Sequence, residues 1–195
     1  MVFFCIYTVE NVQNDMREII ESCLNGNRFA QKRLYELFVK TMFRLCRRYV
    51  ENEQDAEEVL MNGFLKFYKN LKNFTITDDN SLERWLRQIM INECLLSIRQ
   101  RKVQFNFIEV VENQAIESEF TNLETDELYN LILSLPVGYR TIFNLYAIEG
   151  FTHAEIAQKL NISEGTSKSQ LSRGRELLQK MVVKNGFDNL NQKQK

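Results

Sequence analysis

The sequence predicts an all-α fold of two small helical domains joined by an acidic, flexible linker. The 195 residues include only seven Gly and one Pro, and 44% of them are apolar, which suits one ordinary domain or two small ones. Apolar residues recur at helical spacing over long stretches of the chain. Between two such stretches, residues 103–128 carry seven acidic residues and no basic one. A net charge of −1 therefore conceals charges that are arranged in blocks.

The first domain is predicted at residues 16–102. Its first long helix, FAQKRLYELFVKTMFRLCRRYV, repeats four apolar residues at intervals of three or four: Phe38, Met42, Leu45 and Tyr49. A second helix runs from about Asp55 to Leu71. A third covers SLERWLRQIMINECLLSIRQ and follows the polar loop NFTITDDNS. Four residues of this third helix are expected in the core: Trp85, Leu86, Ile89 and Leu96.

The helix from Asp55 is predicted to have two different faces. One apolar stripe faces the core of its own domain: Ala56, Val59, Leu60, Gly63, Phe64, Phe67 and Leu71. Met61 and Leu65 lie off that stripe and share the far side with Asp55, Glu58 and Asn62. Such an exposed, mixed patch could bind a helix of a partner, although scattered exposed apolar residues are also normal.

The segments outside the helices are predicted to have little regular structure. The opening MVFFCIYTVE is too short to span a membrane and lacks the basic start of a signal peptide, so a cytoplasmic protein without membrane insertion is expected. Residues 1–15 are expected to be a disordered or mis-assigned extension, with Met16 as the alternative start. Residues 103–122 form the linker, in which FNFIEVV could instead be a strand, and residues 183–195 form a disordered tail.

Residues with catalytic or metal-binding chemistry are few. Cys5, Cys23, Cys46 and Cys94 are far apart and form no CxxC pair, so we expect reduced, buried thiols and no zinc site. The single histidine, His153, is expected to be an exposed surface residue. No nucleophile–histidine pair, paired carboxylates or Gly-rich phosphate loop is evident, so no catalytic residue, no metal, no cofactor and no enzyme activity are expected.

The second domain is predicted at residues 123–182. LETDELYNLILSL ends before Pro136, and VGYRTIFNLYAIEG forms a helix that Gly150 closes. In FTHAEIAQKL, Thr152 and Glu155 have the spacing of a capping box. Asn161 can adopt the left-handed conformation and Ser163 can cap the next helix, so a turn of about three residues separates two helices, as in helix-turn-helix motifs.

The last helix, from NISEGTSKSQLSRGRELL, is predicted to bind DNA. One narrow sector faces inward and contains two small residues: Ser167, Leu171, Gly174 and Leu178. The other side offers two cations and two hydroxyls, from Lys168, Ser169, Ser172 and Arg173. A solvated charged face is the simpler interpretation, but donors near the N-terminus of a helix after a capped helix and a short turn suit a major-groove reader.

At this point the sequence resembles a known family. LPVGYRTIFNLYAIEGFTHAEIAQKLNISEGTSKSQLSRGRELL is similar to region 4 of bacterial extracytoplasmic-function (ECF) sigma factors, especially Bacteroidetes-like forms with EG[FY]xHxEIA and GTSKSQLSR. YVENEQDAEEVLMNGFLKFYKNL resembles the polymerase-binding helix of their region 2, and FTITDDNSLERWLRQIMINECLLSIRQRK resembles the part that handles the −10 element. The resemblance covers residues 16–182.

The resemblance implies three sets of contact residues. For the −35 element they are Thr166, Lys168, Ser169, Ser172, Arg173 and Arg175. For the −10 element they are Asn80, Arg84, Arg87, Asn92, Arg99 and Arg101, with a flipped base held by the loop around Asn80. For core polymerase they are Asp55, Glu58, Met61, Asn62 and Leu65. The chain departs from the family pattern at Met61 and Asn62, where Gln-Glu is common, and at Ser97, where Asp is usual.

The resemblance also implies the partners and the function. Core RNA polymerase, promoter DNA and an anti-sigma factor are the expected partners, and the acidic linker, a solvated tether on its composition, would thread toward the polymerase active centre. The protein would direct polymerase to promoters by −35 recognition and −10 melting. Two alternatives stay open from the residues themselves: a stand-alone helix-turn-helix regulator, and a helical adaptor that binds no nucleic acid.

Overall fold

The computed structural model describes residues 16–78, 80–100 and 129–184. Across these ranges the regular structure is helical, which confirms the predicted all-α class. The chain divides into two compact units, Met1–Ser97 and Ile98–Lys195. Several sequence predictions lie outside the described residues: the extension at 1–15 with Cys5, the linker with its alternative strand FNFIEVV, Arg101, and the tail from 185 onward.

From residue 16 onward, the first unit has two helices joined by a tight turn. Residues 16–24 form helix α1, and helix α2 spans Arg28–Tyr49. Gly26 has a φ of 78°, a conformation that costs glycine little. The side chain of Asn27 then caps α2 by accepting hydrogen bonds from the backbone of Phe29 and Ala30. Of the predicted apolar repeat, Met42, Leu45 and Tyr49 are buried and Phe38 is half-buried.

Helix α3, Glu53–Asn70, packs against α2. Asn52 caps it, and Glu53 and Asp55 place negative charge in its first turn, which the helix dipole favours. All seven residues of the predicted core stripe are buried, from Ala56 to Leu71. The hydroxyl of Tyr68 donates to the backbone oxygen of Gln31 at 2.8 Å and so ties α3 to α2.

A short 3-10 turn, Leu71–Asn73, leads to helix α4 at Ser81–Gln100, the range that the sequence predicted. The core side of α4 contains Leu86, Met90 and Cys94, and all three have no exposed surface. The core prediction for Leu96 was wrong, because its side chain is 39% exposed. At 100° per residue, Leu96 lies about 120° around the helix from Met90, on the side away from the buried Ile91 and Leu95.

Within residues 129–184, the second unit contains four α-helices and one π-turn. Residues 129–133 form helix α5, and helix α6 spans Val137–Phe143. The sequence predicted one helix up to Gly150, but α6 continues only as a π-turn at Asn144–Ile148, which closes with a bond from Glu149 N to Asn144 O. Helix α7 is His153–Leu160 and helix α8 is Glu164–Lys184, so residues 183 and 184, expected in the tail, are helical.

Helix α8 is the central element of the second unit, since both α6 and α7 pack on it. A core cluster is formed by Leu131, Ile132, Leu135 and Leu178. Arg140 is almost fully buried, and its guanidinium donates to the backbone oxygens of Leu133 and Leu135 at 2.5 and 3.4 Å. A cation at these carbonyls, just after α5, favours the junction between α5 and α6.

Candidate nucleic-acid interface

The start of α7 is fixed by a reciprocal pair of hydrogen bonds. The backbone N–H of Glu155 donates to the hydroxyl of Thr152 at 3.3 Å, and Glu155 Oε2 accepts from the backbone N–H of Thr152 at 2.8 Å. The predicted capping box is therefore confirmed. The backbone N–H and the hydroxyl of Thr152 both lower the pKa of Glu155, which keeps its carboxylate ionised at the positive end of the helix.

The turn between α7 and α8 is short and has a defined backbone. Asn161 adopts the left-handed conformation, with φ 55° and ψ 50°, and ends α7. Ser163 caps α8, because its Oγ accepts from Thr166 N at 3.0 Å. Residues 161–163 thus form the three-residue turn that the sequence predicted. This geometry is that of a helix-turn-helix unit.

The inward side of α8 matches the prediction from its helical spacing. All four residues of the expected inward sector are buried: Ser167, Leu171, Gly174 and Leu178. A Cβ on Gly174 would lie 3.3 Å from Cβ of Tyr139, so the lack of a side chain there allows α8 to approach α6 closely. The opposite face of α8 is left for solvent or a ligand.

The outward side of α8 is cationic and hydroxylic. Lys168, Ser172, Arg173 and Arg175 are exposed, whereas Thr166 and Ser169 are half-buried. Thr166 and Ser163 share a hydrogen bond between their hydroxyls, and Ser169 donates to the backbone oxygen of Thr166 at 3.1 Å. Lys168 pairs with Glu164 at 3.5 Å, but both side chains are exposed, so this ion pair contributes little and leaves the ammonium accessible.

The prediction for His153 was wrong. Its side chain is half-buried, Nδ1 lies 2.9 Å from Ser167 Oγ, and its ring stacks on that of Tyr146 at 4.5 Å. Helical spacing places His153 correctly in the first turn of α7. That spacing does not predict the contact with Ser167 of α8, which is 14 positions further along the chain.

The loop before α4 has its own polar geometry. Asp78 accepts from the backbone N–H of Asn80 at 3.0 Å and from both terminal nitrogens of Arg84, at 2.9 and 2.5 Å. The hydrogen bond from Arg84 is the main cause that lowers the pKa of Asp78 to about 2. Arg84, a predicted phosphate contact, is therefore held against the loop by a bidentate ion pair.

The other residues predicted at the −10 element are arranged along α4. Asn80, Asn92 and Arg99 are exposed, and Arg87 is half-exposed with Glu83 at 3.8 Å. Asn92 Oδ1 accepts from Gln88 Nε2 at 3.1 Å. Asn80 precedes α4, and the other three residues lie at different turns of that helix.

An aromatic pair beside this loop was missed from the sequence. Phe74 stacks on Trp85 with ring centroids 5.0 Å apart, and Phe67 supports the indole at 5.2 Å. Both Phe74 and Trp85 are half-buried, so Trp85, predicted as core, is only partly covered. The aromatic residue in NFTITDDNS was the available signal, because exposed aromatic rings next to cations are typical of surfaces that stack bases.

The predicted polymerase-binding patch is exposed on α3. Met61 and Leu65 are 55% and 61% exposed, Glu58 and Asn62 are also exposed, and Asp55 is half-buried. Two large apolar side chains one turn apart, with polar neighbours, form a surface that a partner helix can cover.

The described residues contain no group of three or more His, Cys, Asp or Glu side chains placed to hold a metal ion. None of the helices in these ranges is long and apolar enough to cross a membrane.

A helix-turn-helix unit with a cationic outer face, preceded by a separate helical domain, defines a DNA-binding protein of two-domain type. Comparison with known proteins identifies the family. Sigma-70 region 2 matches residues 34–103, and Sigma-70, region 4, matches residues 125–178. The chain belongs to the sigma-70 family and is a sigma factor of the ECF type, as the sequence predicted.

Individual relatives agree with this assignment. The ECF RNA polymerase sigma factor SigW of Bacillus subtilis (strain 168) is 26% identical over 182 residues, which cover 86% of this chain and 96% of SigW. The RNA polymerase sigma-H factor of Pseudomonas aeruginosa is 25% identical, with coverage of 87% and 95%. Among solved structures, the sigma factor RpoE of Bartonella quintana, in complex with the anti-sigma factor NepR, has a TM-score of 0.50 at 22% identity and shares the fold. That match covers 78% of this chain and 96% of RpoE.

Proposed function

We propose that this ECF sigma factor binds core RNA polymerase through α3, docks the outward face of α8 on a −35 element, and uses the loop and helix around Asn80 to open the −10 element. The observation that carries the proposal is the exposed face of α8. It presents Lys168, Ser172 and Arg173 directly after a capped, three-residue turn. Donors at this end of a recognition helix can reach base edges and phosphates in a major groove.

Region 2 is proposed to act on the −10 element through a loop held in place by Asp78. The ion pair between Asp78 and Arg84 stiffens the loop in front of α4, and Phe74 and Trp85 offer a partly exposed aromatic surface next to it. Extruding a base costs a few kcal/mol, which stacking and edge hydrogen bonds must recover. The remaining proposed contacts with the −10 element, within the described residues, are Asn80, Arg87, Asn92 and Arg99.

The proposed partners follow from the same function. Core RNA polymerase would cover Met61 and Leu65 on α3. The anti-sigma complex of the Bartonella quintana protein supports an anti-sigma factor as a partner of this chain too. The protein would work in the cytoplasm, where polymerase meets promoter DNA, and would contribute promoter specificity without an enzymatic activity of its own. The likeness to Bacteroidetes forms stays a prediction.

In vitro transcription with core polymerase from the source organism tests the proposal. The protein should create new transcript starts on a genomic template, and sequencing of the 5′ ends should show paired upstream elements. Replacing Lys168 and Arg173 together by Ala should abolish starts that depend on the −35 element. Lys180→Ala is the matched control, because Lys180 is an exposed lysine of the same helix about 18 Å further along.

The alternatives predict different results in the same assay. A stand-alone regulator would bind duplex DNA tightly without polymerase and would create no new starts. A helical adaptor would bind its partner equally well after the substitutions at Lys168 and Arg173. Absence of core binding and of new starts, with folded protein and active core, would overturn the proposed function.

A further inference from the structure

His153 connects α7 to the recognition helix. Its Nδ1 lies 2.9 Å from Oγ of Ser167, a residue with no exposed surface in the first turns of α8. The pair shares one hydrogen bond, whose donor depends on the imidazole tautomer. Ser167 stands in the chain between Thr166 and Lys168, two of the proposed −35 contacts. A rotation of α8 on α7 would break this bond.

The same imidazole also supports a second position on α8. Its ring stacks on Tyr146 at 4.5 Å and 22°, and Cζ of Arg175 lies 5.4 Å from the centroid of the Tyr146 ring. Arg175 is exposed, yet the ring attracts its guanidinium and limits where this cation can point. Tyr146 belongs to the π-turn Asn144–Ile148, and such turns often occur at functional sites.

His153 is therefore linked to α8 in two ways, directly through Ser167 and indirectly through the ring of Tyr146. Ser167 and Arg175 are eight residues apart, which is about 12 Å along the helix. The hydrogen bond limits rotation of α8 near its N-terminus, and the stack on Tyr146 places the arginine two turns later. Most of the proposed −35 contacts lie between these points, including Lys168, Ser172 and Arg173.

We propose that His153 is a positioning residue for −35 recognition: it sets the rotation of α8 through Ser167 and the direction of Arg175 through Tyr146. This inference rests on the proposed function. Reading bases through bidentate hydrogen bonds requires side chains held to within about 10–20°. Loss of His153 should therefore reduce discrimination between −35 sequences more than it reduces stability.

Four variants separate the two contacts. His153→Phe keeps a ring for Tyr146 but removes the bond to Ser167, and Ser167→Ala removes the same bond from the other side. His153→Asn places a hydrogen-bonding atom where Nδ1 stands and removes the stack. Tyr146→Leu removes the ring under Arg175. Phe151→Leu is the matched control. Nζ of Lys159, a residue of α7, lies 4.8 Å from the centroid of the Phe151 ring, so this cation–π contact involves no residue of α8.

The measurement is transcription by holoenzyme from two templates, one with the promoter mapped as above and one with its −35 element scrambled. The ratio of the two rates measures −35 discrimination. His153→Phe, Ser167→Ala and Tyr146→Leu should each lower this ratio about three- to tenfold, the range of one net hydrogen bond or cation–π contact. His153→Asn should lose less than His153→Phe, and combining His153→Phe with Ser167→Ala should add little to either change.

Unchanged ratios in folded variants would overturn the inference, and so would equal losses on both templates. If His153→Phe fails to fold, Ser167→Ala and His153→Asn decide the question, because each is a smaller change. Failure of the proposed function gives a different result: the wild-type protein itself would then show no difference between the two templates, and no rate would respond to substitution of Lys168 and Arg173.

Discussion

Lys66 Nζ of α3 lies 2.6 Å from Glu93 Oε1 of α4, and the two side chains differ sharply in exposure. The lysine is 51% exposed, whereas the glutamate is 9% exposed. Since the carboxylate is covered and the ammonium is not, this ion pair compensates a buried charge and differs from an ion pair between two exposed side chains. It also joins α3 to α4 through two residues that are 27 positions apart in the chain.

Lys66→Met should destabilise the first unit by about 1–2 kcal/mol, because Glu93 would lose its partner while it stays covered. Urea unfolding followed by the fluorescence of Trp85, the single tryptophan of the chain, measures the change. Lys32→Met is the control: Lys32 and Glu36 form an exposed pair at 3.7 Å, so its loss should cost less than about 0.5 kcal/mol. Equal costs at both positions would contradict the prediction.

Gly63→Ala should destabilise the same unit by about 1–2 kcal/mol. A Cβ on Gly63 would lie 2.2 Å from Sδ of Met90, a side chain with no exposed surface that would have to shift within the core. The strain outweighs the gain in helix propensity, which is about 1 kcal/mol.

A double-mutant cycle tests this explanation. Met90→Ala removes the atoms that would collide with the new Cβ, so the double variant should be less destabilised than the sum of the two single variants. Additive effects in urea unfolding would show that the close approach of α3 and α4 is not the cause.

Acid should weaken the first unit through the ion pair between Asp78 and Arg84. The pKa of Asp78 is lowered from its ordinary value of 3.8 to about 2, chiefly by the hydrogen bond from Arg84. A lowered carboxyl pKa means that the contribution to stability is complete above about pH 3.8 and is lost as the pH falls toward 2.

The urea concentration at half unfolding should therefore fall less between pH 4 and pH 2 in Asp78→Asn than in the wild type. Trp85 fluorescence measures this midpoint. Glu58→Gln, which removes one exposed carboxylate from α3, controls for the change in net charge. If Asp78→Asn declines as steeply as the wild type does, the ion pair makes no contribution to folding.

Core polymerase should bind more weakly when the apolar part of the α3 patch becomes polar. Met61→Ser combined with Leu65→Ser should weaken binding to core polymerase at least about tenfold, since exposed apolar anchors carry much of the energy of such interfaces. Stability should change little, because both side chains are more than half exposed. Titration of labelled core polymerase measures the affinity.

Leu37→Ser provides the matched control for this patch. Leu37 is a comparably exposed leucine on α2, at 52%, and it belongs to none of the proposed contacts. Similar loss of affinity with Leu37→Ser would indicate a general effect of surface polarity and would contradict a specific role for Met61 and Leu65.

The sequence by itself determined the helical class, the α3 core stripe, the capping box of Thr152 and Glu155, and the turn at Asn161. Each of these depends on residues at most a few positions apart, because helical periodicity and capping are local properties of the chain. The family resemblance was likewise carried by contiguous motifs, and the matches to Sigma-70 regions 2 and 4 agree with it.

Only the tertiary structure decided what the polar and aromatic side chains do. It paired His153 with Ser167, Phe74 with Trp85 and Lys66 with Glu93, and it continued α6 as a π-turn. The physical reason is that the three pairs depend on packing between separate elements. Such packing brings together residues that are 11 to 27 positions apart and follows no period along the chain.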